Sequence, residues 1–277
     1  MEPLTLHLIG TGGGRHTMCT QRRKTAGIRL EHGETQIHID PGPGALVHSI
    51  YAGLTPMRLD GVIVTHCHPD HYTDAEVLIE AMTGGTTRRR GVLAAAKSVL
   101  RGGDGIDPSI SSYHQGLAGR VEELIPGSRF EIGGITFKAL RAVHGDGDAI
   151  CLKLEAPGVG TLAYTSDTET YPGLGEALRD CRMLVLGTMW PRGSPLVGHL
   201  CTDDALRLIE EARPRCAVTT HFGIKLLNAD PEKEASWLQE QSGVPVIAAV
   251  DGMTITLGDA VTVKTPHRGD EPRVIEA

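Results

Sequence analysis

The sequence predicts an α/β domain built from mixed β-sheets with helices packed outside them. Three observations carry this reading. Short apolar runs that read as strands outnumber helical ones and come mostly as hairpins; helical segments fall between them; and 35 of the 277 residues are glycine, which suits tight turns rather than long helices. The composition, 40% hydrophobic and 22% charged, allows a sizeable core, and aromatic residues at 4% leave Val, Ile, Leu and Ala to fill it. Residues 1–264 are expected to form a single domain and residues 265–277 a polar, frayed tail.

The elements follow in order. Residues 4–9, 28–30 and 35–39 read as strands joined by glycine-rich turns and by His32-Gly33. The apolar run 61–65 ends abruptly in His66, and a helix is expected near residues 74–82. A loop over 84–90 leads to a strand at 91–95, and residues 102–119, rich in Gly, Ser and Asp, read as irregular. Residues 129–142 form a hairpin turning at Gly133-Gly134, and 149–155 pairs with 160–165 around Pro157-Gly158. A strand at 183–186 precedes a helix at 202–211 with Thr202 or Asp203 as N-cap. A strand at 216–220 ends in His221, followed by a helix at 232–241, a strand at 244–250 and a hairpin over 254–263 around Gly258-Asp259.

Composition narrows the function. A formal charge of 27 minus 34, or −7, argues against a broad nucleic-acid-binding surface while leaving room for a local basic patch. No apolar stretch is long enough to span a membrane. The first ten residues read as a strand rather than a signal peptide, and the six cysteines are scattered with no C-x-x-C pair. Together these point to a cytoplasmic, reduced protein.

The strongest chemical signal is Thr65-His66-Cys67-His68-Pro69-Asp70-His71, which packs three histidines and an aspartate into six residues directly after a strand. Imidazole nitrogen and carboxylate oxygen are the donors that divalent metals take, and this spacing seldom arises by chance. Cys67 lies between His66 and His68, so on an extended chain its thiol points the other way and packs inward. The run Gly10-Thr11-Gly12-Gly13-Gly14 fails as a dinucleotide loop, since Arg15 stands where the third glycine belongs and no clear helix opens after it; it reads as backbone passing close to the site.

These residues resemble the metallo-β-lactamase superfamily: His66, His68, Asp70 and His71 match its H-x-H-x-D-H motif in full. The resemblance covers roughly residues 4–257 and implies a four-layer αβ/βα sandwich with metals at one edge, where strand ends converge. It also implies the remaining ligands: His144 in Val143-His144-Gly145, with His114 as a poorer rival; a bridging Asp167 in Tyr164-Thr165-Ser166-Asp167-Thr168; and His221 in Thr219-Thr220-His221-Phe222-Gly223. Gly10–Gly14, Asp40-Pro41-Gly42-Pro43-Gly44 and Gly198-His199 look like the ribonuclease Z and phosphodiesterase branch, where His199 matches a histidine near the scissile phosphate. The long tRNA-gripping arm of ribonuclease Z and its P-x-K-x-R-N loop are not reproduced; Gln21-Arg22-Arg23-Lys24 stands in a comparable place.

What the resemblance implies is a binuclear hydrolase. Two divalent ions about 3.5–4 Å apart hold a hydroxide between them and clamp the reacting group. The N/O donor set suits Zn2+, with Mn2+ or Fe2+ able to occupy it. Asp70 is expected to orient the attacking water, His199 to stabilise or protonate the leaving oxygen, and Arg22, Arg23 and Lys24 to attract an anionic substrate. The expected substrate is a phosphodiester, in RNA or a small or cyclic nucleotide; hydrolysis of carboxylic esters, thioesters or lactones is the alternative. A di-iron redox role fits poorly, because those relatives carry Glu where this chain has His68. A homodimer is compatible with the sequence, which does not itself give the oligomeric state.

Overall fold

The computed structural model describes residues 2–103, 105–266 and 272–275. Its strands form two mixed sheets. The first comprises β1 (Leu4–Leu8), β2 (Ile28–His32), β3 (Thr35–Ile39), β4 (Gly61–Val64), β5 (Arg90–Ala96), β6 (Ala118–Leu124), β15 (Met253–Leu257), β16 (Val261–Lys264) and β17 (Arg273–Ile275). Its order is β17-β16-β15-β1-β2-β3-β4-β5-β6, antiparallel through β3 and parallel from β3 to β6.

The second sheet holds β7 (Arg129–Ile132), β8 (Ile135–Arg141), β9 (Ile150–Ala156), β10 (Gly160–Tyr164), β11 (Met183–Trp190), β12 (Leu200–Cys201), β13 (Cys216–Thr220) and β14 (Val246–Ala248). The order is β14-β13-β11-β10-β9-β8-β7, with β12 beside β11. Strands β7 to β10 run antiparallel and β10, β11, β13 and β14 parallel.

Helices cover the outer faces. On the first half lie α1 (Gly14–Thr20), α2 (Ala45–Tyr51), α3 (Pro69–Tyr72), α4 (Ala75–Met82), α5 (Lys97–Arg101) and α6 (Ser112–Leu117). On the second lie α7 (Leu174–Leu178), α8 (Thr202–Ala212), α9 (Ile224–Ala229) and α10 (Pro231–Ser242). Leu6, Leu30 and Ile63 of the first sheet meet Phe137 and Leu152 of the second in one buried cluster, while Leu184 and Leu186 pack against Leu208 and Leu238 of α8 and α10 in another. Each fully buried Leu, Ile or Phe stabilises the fold by about 1.5–3 kcal/mol. The result is the four-layer arrangement that the resemblance implies. Among the described residues no helix is long and apolar enough to cross a membrane.

Several local expectations are corrected. A helix, α1, does follow the glycine run, although it has neither a side-chain cap nor an acidic first turn. Tertiary hydrogen bonds from Gly14 to Asp70 and from Thr17 to Phe222 hold it instead. The segment 102–119 is not irregular throughout: Ser111 caps α6, and β6 begins at Ala118. Helix α8 is capped from Cys201, whose N–H donates to Asp204 Oδ2 at 3.1 Å, and not from Thr202 or Asp203. Part of the expected tail is a strand, because β17 pairs with β16 and buries Ile275. The rest of that tail, 267–271 and 276–277, lies outside the described residues.

Candidate metal centre

Five chain segments deliver the site, four of them leaving the end of a strand and one leading into a strand. The loop after β4 carries His66 and His68. Pro69 then opens the short helix α3, so that Asp70 and His71 project from a single turn. His144 follows β8, Asp167 follows β10, His199 precedes β12 and His221 follows β13. Asp40, Ser166 and His221 all adopt positive φ, at 53°, 49° and 59°. A non-glycine residue holds that conformation only where its surroundings impose it, and such strain gathers at functional sites.

Two groups of donors converge. In the first, His68 Nδ1 lies 3.1 Å from His66 Nε2 and 2.9 Å from His144 Nε2. A ring nitrogen carries either one proton or one lone pair, so His68 Nδ1 cannot satisfy both neighbours. A cation among the three satisfies all of them. His144 Nδ1 sits 2.7 Å from the Gly198 carbonyl, which can only accept; the proton is therefore on Nδ1, and the Nε2 lone pair faces the group.

In the second group, His71 Nε2 and His221 Nε2 are 3.0 Å apart, and Asp70 Oδ2 lies 3.7 Å and 3.3 Å from them. Asp167 stands between the groups. Its Oδ1 is 3.2 Å from His221 Nε2, and its Oδ2 is 3.6 Å from His71 Nε2 and 3.9 Å from both His66 and His144. His199 Nδ1 comes within 3.5 Å of Asp167 Oδ2, and its ring lies 4.7 Å from that of His144. The donor sets His66–His68–His144 and Asp70–His71–His221 therefore each fit a divalent cation, and the Nδ1 atoms of His199 and His221 are buried without a hydrogen-bond partner.

The electrostatics follow from burial and from charges held close together. Burial pushes the His66 imidazole well below its usual pKa, and the nearby His71 adds to this. His68 is lowered by burial and then by His144. For His71 burial also opposes charge, but Asp40, Asp70 and Asp167 outweigh it and hold the ring well above the ordinary imidazole value. Burial works against the Asp70 and Asp167 carboxylates too, yet His71 and His221 keep both below the usual range. Burial brings His199 down to about 4. Buried and unscreened, these groups favour a bound cation over an empty cluster.

His68 and His199 are only partly buried, whereas His66, Asp70, His71, Asp167 and His221 are buried. Behind Asp70, His71 and His221 lies a cavity of about 20 Å³, bordered also by Asp40 and Tyr164, with room for one water. The cluster is therefore open on the His68 and His199 side.

The beta-lactamase superfamily domain matches residues 35–222, more than half of the chain. The chain belongs to the beta-lactamase superfamily. It is 37% identical over 251 residues to the uncharacterized protein MJ1374 of Methanocaldococcus jannaschii, across 90% of this chain and 93% of the relative. Ribonuclease Z of Methanopyrus kandleri is 23% identical over 290 residues, covering 91% of this chain and 97% of the relative. The metallo-beta-lactamase fold protein YhfI of Bacillus subtilis superposes with a TM-score of 0.75 at 19% identity, over 92% of this chain and 99% of that one, which establishes the fold. The chain is thus a metallo-β-lactamase superfamily hydrolase, and the superfamily fold together with the His/Asp clusters implies divalent metal ions.

Within this superfamily frame the structure brings seven of the expected residues, His66, His68, Asp70, His71, His144, Asp167 and His221, into contact, with His199 beside them. His199 does not cap α8, since Cys201 does. His114 is elsewhere, held by Glu76 and Glu80. Cys67 packs inward as expected, and burial, reinforced by Asp146, pushes its thiol up to about 11. The basic run, expected to attract an anionic substrate, sits beside the glycine run. Arg22 donates to Asn228, Arg23 to Thr11 at 3.3 Å, and Lys24 borders a separate cavity of about 250 Å³ with His48 and Asp251. Beyond α1 the chain folds back, and the run closes on the glycine run, with Gly12 N donating to the Lys24 carbonyl at 2.9 Å.

Sequence reasoning missed the residues that hold the ligands. Asp40 accepts from Thr65 N and Thr65 Oγ1, both at 2.8 Å, and lies 3.0 Å from His71 Nδ1. Asp40 thus stands on the Nδ1 side of His71, and Nε2 faces the cluster. Asp146 accepts from Cys67 N at 2.9 Å and Ser98 Oγ at 2.6 Å, anchoring the loop that carries His66 and His68. The signal for Asp40 was present in Asp40-Pro41-Gly42, a turn directly after a strand.

Proposed function

We propose that this chain is a binuclear metal-dependent phosphodiesterase acting on RNA or on small or cyclic nucleotide diesters. His66, His68 and His144 would hold one ion, Asp70, His71 and His221 the other, and Asp167 both; the N/O donor set suits Zn2+. The observation that carries the reading is the place of Asp167, whose Oδ1 faces His221 and whose Oδ2 lies within 3.9 Å of His71, His66 and His144.

When bound, the cations supply Lewis-acid stabilisation of charge on a phosphoryl oxygen and make water acidic enough to act near pH 7. The chain's own residues do the rest. Gly14 N–H, 2.6 Å from Asp70 Oδ2, and Asp40, beside His71, keep both side chains oriented without rearrangement during reaction. His199, on the open side and 3.5 Å from Asp167, would hydrogen-bond the phosphoryl group or the departing oxygen. The Gly198 carbonyl that orients His144 immediately precedes His199, and Gly198 N–H donates to Glu169 at 2.8 Å. A single latched turn therefore positions both histidines.

The likeness to ribonuclease Z favours a phosphodiester over an ester, thioester or lactone. The test is a panel of bis-p-nitrophenyl phosphate, cyclic nucleotides, RNA, lactones and thioesters, offered to the Zn2+-loaded protein. Diester cleavage is the expected result. Robust thioester or lactone cleavage with no diesterase activity would overturn it.

A further inference from the structure

The two donor groups are supported differently. His66, His68 and His144 rest on the ends of β4 and β8, where Asp146 and the Gly198 carbonyl hold them. Asp70 and His221 instead share a support that comes from the opposite end of the sequence, the glycine run 10–14. Gly14 N–H donates to Asp70 Oδ2 at 2.6 Å. Gly13 lies so close to the His221 ring that a Cβ there would come within 2.2 Å of three ring atoms. Thr11 O accepts from Phe222 N at 2.8 Å, Gly13 N donates to Phe222 O at 3.2 Å, and Gly12 forms an isolated parallel bridge with Phe222. The run thus lies against His221-Phe222 and carries the donor that aims Asp70.

The run is itself clasped by one carboxylate. Asp251, in the turn between β14 and β15, accepts from Thr11 N at 2.9 Å and Thr11 Oγ1 at 2.7 Å through Oδ1, and from Lys24 N at 2.9 Å through Oδ2. Lys24 closes the same loop, its carbonyl accepting from Gly12 N at 2.9 Å. Three hydrogen bonds to one carboxylate therefore tie both ends of the segment that bears on Asp70 and His221. Such bonds to a charged acceptor are the stronger kind. None of the three reaches His66, His68 or His144.

We infer that Asp251 is a positioning residue for the second donor group: its clasp on Thr11 and Lys24 sets the glycine run that holds Asp70 and His221, so it governs binding of the second divalent cation and not the first. This rests on the two-ion reading above. Loss of a group that orients a ligand lowers metal affinity by about 10–100-fold, and here that loss falls on one ion of two.

The test compares the full chain with Asp251→Ala and with Thr11→Val, which removes a single bond of the clasp and keeps the side-chain shape. Each protein is freed of metal and titrated with Zn2+ in a competing chelator, and amide hydrogen exchange is followed in the metal-free state. Asp251→Ala should bind its first Zn2+ as the parent does and its second about 10–100-fold more weakly, with Thr11→Val in between. Exchange at Gly14 should quicken in both variants, in that order. Equal weakening of both ions, or no change in either, overturns the inference. If Asp251→Ala fails to fold, Thr11→Val decides by the same criteria. If the parent chain itself takes one Zn2+, the two-ion reading falls instead, and the clasp is judged by Gly14 exchange alone, where an unchanged rate overturns it.

Discussion

Among the described residues imidazole is almost wholly buried, at 2% exposure or less, in two places, and the places behave differently. On β3, in the first sheet, His38 is fully buried with Nε2 donating 2.8 Å to the Ala26 carbonyl and Nδ1 without a partner. Beside it on β2 stands Arg29, also fully buried, which donates to Gln36 and to the Thr55 carbonyl. Among the described residues, neither has a carboxylate within ion-pair distance. Burial pushes His38 down to about 3 and Arg29 to about 10. At the strand ends the same ring type meets Asp40, Asp70 and Asp167, and the ring nitrogens face one another rather than the backbone. A buried histidine is therefore no sign of a site by itself. Converging lone pairs with carboxylates between them are, because only a cation satisfies them all.

The largest effect that can break this comparison is at Asp167. Asp167→Ala should lower turnover by about 10³-fold or more, several kcal/mol at about 1.4 kcal/mol per tenfold, and reduce bound metal. Steady-state kinetics with elemental analysis of the same sample checks it; near-normal rates would mean that the carboxylate between the donor groups is structural only.

Next comes His199, which touches the cluster from its open side. His199→Ala should lower kcat by about 10²-fold with little change in metal content or KM. A drop in metal content equal to that of Asp167→Ala would make His199 a ligand, and an unchanged kcat would return it to packing.

The smallest effect concerns His38. The unfolded chain protonates this imidazole near its ordinary value, while the folded chain resists down to about 3. Between those values the unfolded state binds the extra proton. The stability contributed by neutral His38 is thus complete above pH of about 6.5 and is lost as pH falls toward the folded value, at about 1.4 kcal/mol per unit. In metal-free protein, His38→Gln should flatten the fall in urea-unfolding stability from pH 7 to 5. An unaltered slope would show that other groups set the acid response.

How much of this was legible in the sequence depends on distance along the chain. His66, His68, Asp70 and His71 could be read because their spacing is local and follows a strand. His144, Asp167 and His221 needed a resemblance, since each is a lone residue at a strand end. Asp146 and Asp251 act on backbone N–H groups 79 and 240 positions away, and a backbone donor leaves no mark in the sequence. The hairpins were visible through their turn residues. Helix α1 was not, because its support is tertiary, and neither was β6, a sheet edge whose central residues are largely exposed and carry no clean alternation. The basic run stays beside the glycine run in the fold, with Gly12 N donating to the Lys24 carbonyl, as its closeness in sequence suggests.

The central claim is that two cations share Asp167, and metal stoichiometry tests it most directly. The metal-free chain, dialysed against excess Zn2+ and then analysed, should hold two ions per chain, and Asp70→Ala, which removes a donor from one group alone, should hold one with the fold intact by circular dichroism. Saturation of the parent chain at one ion, or two ions retained in Asp70→Ala, would contradict the account.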